Sequence, residues 1–511
     1  MKNYAEEFRE DIREFHSATR AFYEKELSVA EYKHISGGFG SYAQRGGKRS
    51  MLRLRLSGGI VTKDDLRFIV ESIEKYGIDL LHISTCQTIQ LHNLTADAVC
   101  SLAEESLEHG IITRGGGGDF PRNVMMSPLS GVSPDETFDV SGYACAAADY
   151  LLGFIHKVKL PRKLKVCFSN TPEDITHAAF RDLGFVAKEN HTFDVYSAGG
   201  LGINPKMGVC IAKDVPPELV LYYIRAMVDT FTSYGNYESR AKARTRYMQD
   251  TLGPEKYRAA FLEKLDRALA SKDLKLSVTP YSSDKPKDGE LSHPRAILQK
   301  QPGLYAVSYH PIGGCLSSDA LRNIYQAILP MKDVQLRLSP DEGMYIINCT
   351  AKEAETLIEL TKDGAGTLFE TSVACIGSQI CQLGLRDSQS LLKACTNAVR
   401  PCHFDDGTLP KIHISGCPSS CGSHQAAELG FRGAVKQSPD GPKPAYALFF
   451  GGSEALGNER LGTELCVMRE ENIPKFLVAL GNRVQDSHMT FSGWIQTNYD
   501  VFSELAQEYA Q

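Results

Sequence analysis

The chain of 511 residues repeats itself at a constant offset of 255, and no other feature constrains its fold as strongly. Gly58-Gly59 and Gly313-Gly314 stand in matching contexts. Without a gap, Leu66-Arg67 then falls on Leu321-Arg322, Ile69 on Ile324, Leu81 on Leu336, Ser84 on Ser339, and Thr95-Ala96 on Thr350-Ala351. Each copy reads as strand, Gly-Gly turn, helix from about 63 to 76, strand from about 79 to 84, strand from about 88 to 93 and a second helix. A looser repeat follows each copy. Leu160-Pro161 resembles Leu409-Pro410, Leu183-Gly184-Phe185 resembles Leu429-Gly430-Phe431, and Gly199-Gly200 resembles Gly451-Gly452. The fold class is therefore α+β, built from a duplicated pair of modules. Residues 270–300 are polar and turn-rich, and are expected to form the linker or surface connection between the halves.

At ~150 residues per domain the length suits about three domains. With 42% hydrophobic and 23% charged residues, the chain is an ordinary globular one. A net charge of -6 gives no overall attraction to nucleic acid or anionic membrane, so neither is expected as a partner. The first ten residues alternate in charge, and nowhere do about 18 apolar residues follow one another. A cytoplasmic protein is expected. In a reducing compartment 14 cysteines are not a disulfide framework. Ten are scattered and are expected to act as small apolar residues.

The other four are not scattered. Residues 374–381 read Ala-Cys-Ile-Gly-Ser-Gln-Ile-Cys and residues 415–422 read Ser-Gly-Cys-Pro-Ser-Ser-Cys-Gly. Cys375 and Cys381 thus form a C-x5-C pair, and Cys417 and Cys421 a C-x3-C pair. Four thiolates suit a 4Fe-4S cluster. Zinc is the alternative, although structural zinc usually takes tighter C-x2-C knuckles with His among its ligands.

With these motifs the chain resembles the siroheme and iron-sulfur sulfite/nitrite reductases, and the resemblance covers most of its length. It implies ferredoxin-like repeats and two siroheme- and cluster-binding α/β domains related by pseudo-twofold symmetry. The expected division is residues 1–125 (N-terminal arm and first repeat), 126–285 (siroheme and substrate), 286–365 (linker and second repeat) and 366–511 (4Fe-4S cluster and siroheme). It also implies that Cys375, Cys381, Cys417 and Cys421 hold the cluster, with Cys421 bridging to the siroheme iron. The Cys-Ile-Gly-Ser-Gln-Ile-Cys version looks most like that of ferredoxin-dependent nitrite reductases.

Two stretches are basic without an acid, Arg45 to Arg55 and Lys157 to Lys165. Arg53 and Arg55 alternate with leucines, and Lys163 and Lys165 flank Leu164, as on one face of a strand. Such a face is either solvated or a binding site. In the second copy Arg53 corresponds to Ser308, and Lys163 and Lys165 fall near Ile412 and Ile414, which suggests divided labour after duplication. A small oxyanion and a polycarboxylate tetrapyrrole both require fixed positive charge. The resemblance implies that Arg53, Arg122, Lys163 and Lys165 hold the anion, and that Arg162, Ser84, Thr85, Gln87 and Gln90 contact siroheme. Cys86 departs from the family, which carries Arg there, and His82 departs from its sulfite reductases. Gly235-Asn236 through Arg240, Lys242, Arg244, Arg246 and Tyr247 resembles another basic stretch of the family, with a role in the site and surface solvation equally open.

No G-x-G-x-x-G turn or Walker loop occurs, and Gly115 to Gly118 reads as a flexible turn beside the site. Electrons are expected from an external one-electron carrier, ferredoxin by resemblance, with a separate flavoprotein subunit as the alternative. The implied reaction is six-electron reduction of sulfite to sulfide or of nitrite to ammonia. Lys165 favours sulfite, since plant-type nitrite reductases usually carry Asn there. The alternatives are nitrite reduction as the main activity, a siroheme-free iron-sulfur electron-transfer protein and a zinc-stapled structural protein. A monomer is expected.

Overall fold

The offset of 255 is realised as two copies of one five-stranded sheet, in a computed structural model that describes residues 4–271 and 273–511. The first three residues of the expected N-terminal arm, and Lys272 of the expected connection, lie outside the described residues. In the first sheet Ser50–Leu54 lies between Ser41–Ala43 and Thr88–Leu94, Leu81–Ser84 follows, and Cys315–Leu316 takes the far edge. In the second, Tyr305–Tyr309 lies between Ala296–Leu298 and Met344–Cys349, Gln335–Leu338 follows, and Ile60–Val61 takes the edge. Each copy thus lends the short strand after its Gly-Gly turn to the other's sheet. Left-handed backbone recurs at the same offset: Gly58 and Gly313, Gln87 and Glu342, and Asn93 and Asn348 all have positive φ. So does helix capping, because Thr95 accepts the Ala98 N–H and Thr350 the Glu353 N–H.

Helices Lys63–Tyr76 and Ala96–Glu108 cover one face of the first sheet, burying Leu66, Ile69 and Ile73 with Leu52, Leu54, Leu81, Ile83, Ile89 and Leu91. Each such side chain contributes roughly 1.5–3 kcal/mol. Alternation along the strands leaves the opposite face to Arg53, His82, Ser84, Thr88, Gln90 and His92, so this sheet has a polar face that is nevertheless largely buried.

The looser repeat is a second kind of sheet. Met125–Met126, Val166–Ser169 and Leu183–Ala187 run parallel, and Phe193–Ser197 and Val209–Val215 return antiparallel. Val373–Ala374, Ile412–Ser415, Leu429–Lys436, Lys443–Phe450 and Thr463–Arg469 repeat that order. Phe168 and Phe185 stack at 4.8 Å in the first core. Phe431, Leu448 and Phe476 stand in the second.

Strand register corrects two sequence correspondences. Val166 pairs with Leu183 as Ile412 pairs with Leu429, an offset of 246. Lys163 and Lys165 therefore correspond to Leu409 and Lys411, not to Ile412 and Ile414; the Leu-Pro match had slipped the register in a loop. Likewise, Ala198 donates to the Asp182 carbonyl as Gly451 does to Glu428, and both have positive φ, so Gly199 matches Gly452 rather than Gly451. The connection also differs from expectation. Ala296–Leu298 is already a strand, and Lys285 is buried, donating to the Asn348 carbonyl at 2.9 Å.

The chain divides into two compact units. One holds the chain to Gly200, Lys206–Tyr309 and Leu316–Thr361; the other holds Leu201–Pro205, His310–Cys315 and Lys362–Gln511. Leu201–Pro205 is tied to the latter by the Gln425 amide, which donates to the Gly202 carbonyl at 2.7 Å. Among the described residues no helix is long and apolar enough to cross a membrane.

Candidate functional site

Three strands of the first sheet bring Arg53, Gln90 and His82 into one row, since Gln90 pairs with Arg53 on one side and His82 on the other. The Arg53 guanidinium reaches past the strand to the loop Gly115–Gly118. Its Nη1 donates to the Gly116 carbonyl at 2.7 Å, and Arg122 Nη1 donates to the same oxygen at 2.8 Å. Arg122 Nη2 bonds the Gly118 carbonyl at 2.9 Å. Carbonyl partners orient a guanidinium without neutralising it, so the charge remains to act on an anion.

The glycine run is a close-packed loop, not a flexible turn. A Cβ on Gly117 would stand 2.2 Å from the Gly37 carbonyl oxygen and 2.4 Å from the Tyr42 hydroxyl. Tyr42 accepts the Gly118 N–H at 3.0 Å. Burial opposes its ionisation, but Arg122, Arg53 and that N–H together bring its pKa below the ordinary phenol value. Arg55 is structural. Its guanidinium bonds the Arg114 and Arg122 carbonyls at 2.8 and 3.3 Å, and burial, with Arg122 beside it, lowers it to about 9.

Lys165 approaches from the segment before strand Val166–Ser169. Its backbone N–H is fixed to Asp182 Oδ2 at 2.8 Å, and that fully buried carboxylate also takes the Arg244 guanidinium at 3.2 Å. Burial, with Arg181 and Arg244 nearby, lowers the Lys165 pKa, while the Cys86 sulfur raises it. Lys163 is half-buried on the same segment. Arg162 is engaged by Asp119, its Nη1 at 2.7 Å from Oδ1, while Arg240 holds the other carboxylate oxygen at 2.7 Å.

Among the expected siroheme contacts, Ser84 and Thr88 share a hydroxyl bond at 2.5 Å, Thr85 is half-buried and Gln90 lies in the row with Arg53. Gln87 is different. It has no exposed surface, its Nε2 donates to the Met126 and Leu338 carbonyls at 2.9 and 2.6 Å, and its Oε1 accepts the Met126 N–H at 2.9 Å. The structure makes it a brace between segments, because both amide protons and the amide oxygen are bonded to backbone. Cys86 sits at the tip of the turn, half-buried, with Asn123 holding its carbonyl at 3.0 Å. Burial opposes its ionisation, yet Lys165, Arg181 and Arg53 bring the thiol down to about 6.

The cysteine quartet lies in the other unit, at the carboxyl ends of two parallel strands. Cys375 follows Val373–Ala374, and Cys417 follows Ile412–Ser415 by one residue. The two loops interlock: Cys375 Sγ accepts the Gly416 N–H at 3.2 Å, and the Gly416 carbonyl accepts N–H groups of Leu385 and Arg386 at 3.0 and 2.9 Å. Close backbone approach is enforced at Gly416, where a Cβ would stand 2.5 Å from the Arg386 carbonyl oxygen. Cys375, Cys381 and Cys417 are half-buried, and Cys421 is exposed. Among the described residues no three His, Cys, Asp or Glu converge as ligands of a single metal ion.

Residues 42–109 match the family model described as the nitrite/sulfite reductase ferredoxin-like half domain, and residues 117–269 match that of the nitrite and sulphite reductase 4Fe-4S domain. Both matched segments are nitrite and sulfite reductase domains. The chain is 26% identical over 427 residues to the ferredoxin–nitrite reductase of Synechococcus elongatus, covering 79% of this chain and 80% of that one. Its identity to the ferredoxin sulfite reductase 1 of Mycolicibacterium paratuberculosis is 26% over 412 residues, 77% and 71% of the two chains. The fold superposes on the NirA protein of Mycobacterium tuberculosis with a TM-score of 0.78, at 23% identity and over 97% of this chain and 95% of that one.

The 4Fe-4S family model covers the first module, whereas the cysteines stand in the second. The donor set fits a cluster better than a single ion, since a cubane binds each thiolate at its own iron. Burial, with Cys421 beside it, pushes the Cys375 thiol up to about 12, so thiolate there calls for a compensating metal cation. Sequence reasoning missed Tyr42, Asp182 and the glycine-loop carbonyls. None has a motif, and each acquires its role through contacts between segments distant in sequence.

Proposed function

We propose that the chain catalyses the six-electron reduction of a small oxyanion, sulfite to sulfide or nitrite to ammonia, with siroheme, a 4Fe-4S cluster and electrons from ferredoxin. The observation that carries this reading is the convergence of Arg53 and Arg122 on one carbonyl oxygen, with Lys165 and Arg181 beside Cys86, in a chain of net charge -6. So much fixed positive charge, withdrawn from solvent and oriented by carbonyls and Asp182, suits an anion and the carboxylates of a tetrapyrrole. An electron-transfer protein without siroheme gives these cations no task.

Siroheme and the cluster, when bound, would supply the redox-active iron and the stored electrons. The protein's part is charge and protons. Arg53, Arg122, Lys163 and Lys165 bind and orient the anion, stabilise the charge that develops as oxygen leaves, and Lys165 can hand on a proton. Lys165 is suited to that task because burial has lowered its pKa. Ser84, Thr85 and Gln90 face the tetrapyrrole, and Arg162 serves a carboxylate of it. Cys375, Cys381, Cys417 and Cys421 would hold the cluster as thiolates.

Sulfite is the favoured substrate because a further cation discriminates in favour of the more highly charged anion. Nitrite remains the second reading, favoured by the cluster motif. The test is the absorption spectrum and iron content of the purified protein, followed by turnover of both anions with reduced ferredoxin. Siroheme together with four cluster irons, and sulfide formed faster than ammonia, is the expected result. Zinc in place of iron, or iron without tetrapyrrole, overturns the proposal.

A further inference from the structure

Cys86 is the acidic member of an otherwise cationic group. Lys165 reaches it from the segment before strand Val166–Ser169 and donates a hydrogen bond to its sulfur. Arg181 faces it from the turn before Leu183–Ala187, Arg53 from Ser50–Leu54, and Arg122 from the loop after the glycine run. On its own hairpin the Ser84 hydroxyl accepts the Cys86 N–H at 3.4 Å, and the Gln87 amide is committed to the Met126 and Leu338 carbonyls.

The framework around the pair is rigid. Asn123 Nδ2 bonds the Leu56, Cys86 and Gln87 carbonyls at 2.8, 3.0 and 3.0 Å, Gln87 is locked at φ +53, and the Lys165 backbone is fixed to Asp182. Arg181 is held by the Thr176 carbonyl at 2.8 Å. A negative charge at Cys86 therefore sits where the proposed substrate needs one of its cations.

We propose that Cys86 is a built-in counter-anion, whose thiolate occupies the Lys165 ammonium while no substrate is bound and yields it to an entering oxyanion. The inference rests on Lys165 belonging to the anion site, as argued above. A thiolate and an oxyanion compete for one ammonium, so the anion binds less tightly wherever Cys86 is ionised. With the thiol held to about 6 by its cationic neighbours, against 9.0 for an ordinary thiol, competition is already present at neutral pH. It fades as pH falls through that value. A doubly charged anion displaces the thiolate more readily than a singly charged one, which makes Cys86 a filter for charge as well as a placeholder.

Two measurements on the holoenzyme test this. In the first, iodoacetamide labelling of Cys86 is followed by mass spectrometry against pH, in the wild type and in Lys165→Met, with and without nitrite. Cys86 is expected to label in the wild type well below the pH at which an ordinary thiol does, and to need a higher pH both in Lys165→Met and when nitrite is bound. In the second, nitrite binding is followed by calorimetry, since nitrite stays singly charged from pH 6 to pH 8. Wild-type affinity should fall across that range, whereas Cys86→Ala and Cys86→Ser should bind about three- to tenfold more tightly at the upper end and show a flatter profile. Labelling of an ordinary kind, indifferent to Lys165→Met, overturns the pair. Pair-dependent labelling that nitrite leaves unchanged, in a protein that still reduces both anions, overturns the competition and leaves the proposed function standing. Absence of any anion reduction overturns that function instead.

Discussion

The modules at residues 125–215 and 373–469 share a backbone and differ in what they hold. The loop after each central strand is left-handed at two equivalent non-glycine residues, Asp174 and His177 in one, Ser420 and Ser423 in the other. A Cβ on Gly184 would stand 2.2 Å from the Ala178 carbonyl oxygen, and one on Gly430 would stand 1.9 Å from that of His424. The equivalence reaches the cysteines. Ser127 Oγ accepts the Asn170 N–H at 3.2 Å, just as Cys375 Sγ accepts the Gly416 N–H at 3.2 Å. By register the quartet Cys375, Cys381, Cys417 and Cys421 is mirrored by Ser127, Ser133, Thr171 and Ile175. In place of thiols the first module has a hydrogen-bonded network in which the buried Asn170 amide serves Ser130, Glu136 and the Phe138 carbonyl. The cradle is thus a property of the loop backbone, and the side chains decide whether it presents thiols or closes on itself.

The sharpest break between the modules is expected at Cys417 and its counterpart Thr171. Cys417→Ser should abolish the cluster altogether, because serine is a poor ligand for iron and the loop loses a covalent tie. Thr171→Ser should leave iron content, absorption and turnover unchanged. Equal iron in the two variants would remove Cys417 from the ligand set. Next in size is the contrast between Arg53 and Ser308, equivalent at the 255 offset. On the proposed function Arg53→Ala removes a donor to the anion and should lower kcat/KM by about 100- to 1,000-fold, or ~2.7–4 kcal/mol. Ser308→Ala should change it less than about twofold. Steady-state kinetics with reduced ferredoxin decide, and undiminished turnover of Arg53→Ala would leave the arginine a structural tie to the glycine loop.

Regular structure in the duplicated units was legible because the ungapped offset ties each element to a partner. Helix Lys63–Tyr76 and the strands that follow it lie where the periodicity put them. The offset in fact runs further upstream than the sequence showed, to Ser41–Ala43 and Ala296–Leu298. There only backbone pairing is shared, so residue identity carries no signal. Of the looser repeat, Leu183-Gly184-Phe185 does fall on Leu429-Gly430-Phe431, while its other two matches slipped for a related reason. Its loops differ in length, and a Leu-Pro coincidence outweighed the register that β pairing enforces. Of the site, the cysteine motif and the basic strands were legible from spacing. The division of the cations into Arg53 and Arg122, which share the Gly116 carbonyl, and Arg55, which ties the Arg114 and Arg122 carbonyls, was not, since Arg53 and Arg55 alternate alike with leucines and only tertiary contact separates them.

A smaller effect separates Lys165 from Lys411, the pair the corrected register brings together. Lys411 is a half-buried cation paired with Glu454 at 3.6 Å, and Lys411→Asn should leave the preference between the two anions unchanged. Lys165→Asn should shift the ratio of kcat/KM for sulfite over nitrite by about one to two powers of ten toward nitrite, or ~1.4–3 kcal/mol. Removing a cation weakens a doubly charged anion more than a singly charged one. The measurement is turnover of both anions by both variants with one donor. Equal losses for the two anions would assign Lys165 to proton delivery or siroheme binding instead.

The smallest effect is one of stability, in the module that holds no cysteine quartet. Asn170 has no exposed surface, and its Nδ2 bonds Glu136 Oε2 at 2.9 Å, the Phe138 carbonyl at 2.8 Å and Ser130 at 3.1 Å. Asn170→Ala leaves those acceptors buried and underserved, which costs about 1–3 kcal/mol. The loss should depend on pH in a defined direction. Burial already raises the Glu136 pKa above its ordinary value, although Lys300 and the Gly131 N–H oppose it. Removing another donor to the carboxylate raises it further. Above the unfolded carboxyl pKa and below the folded one, the folded protein binds the extra proton, so stability falls as pH rises through that window. Asn170→Ala widens the window upward, and its cost should be smaller near pH 4 than at pH 7. Urea unfolding of both proteins at those two pH values measures this. A cost that is constant across them would mean that Asn170 supports the neutral acceptors of the loop and not the Glu136 carboxylate.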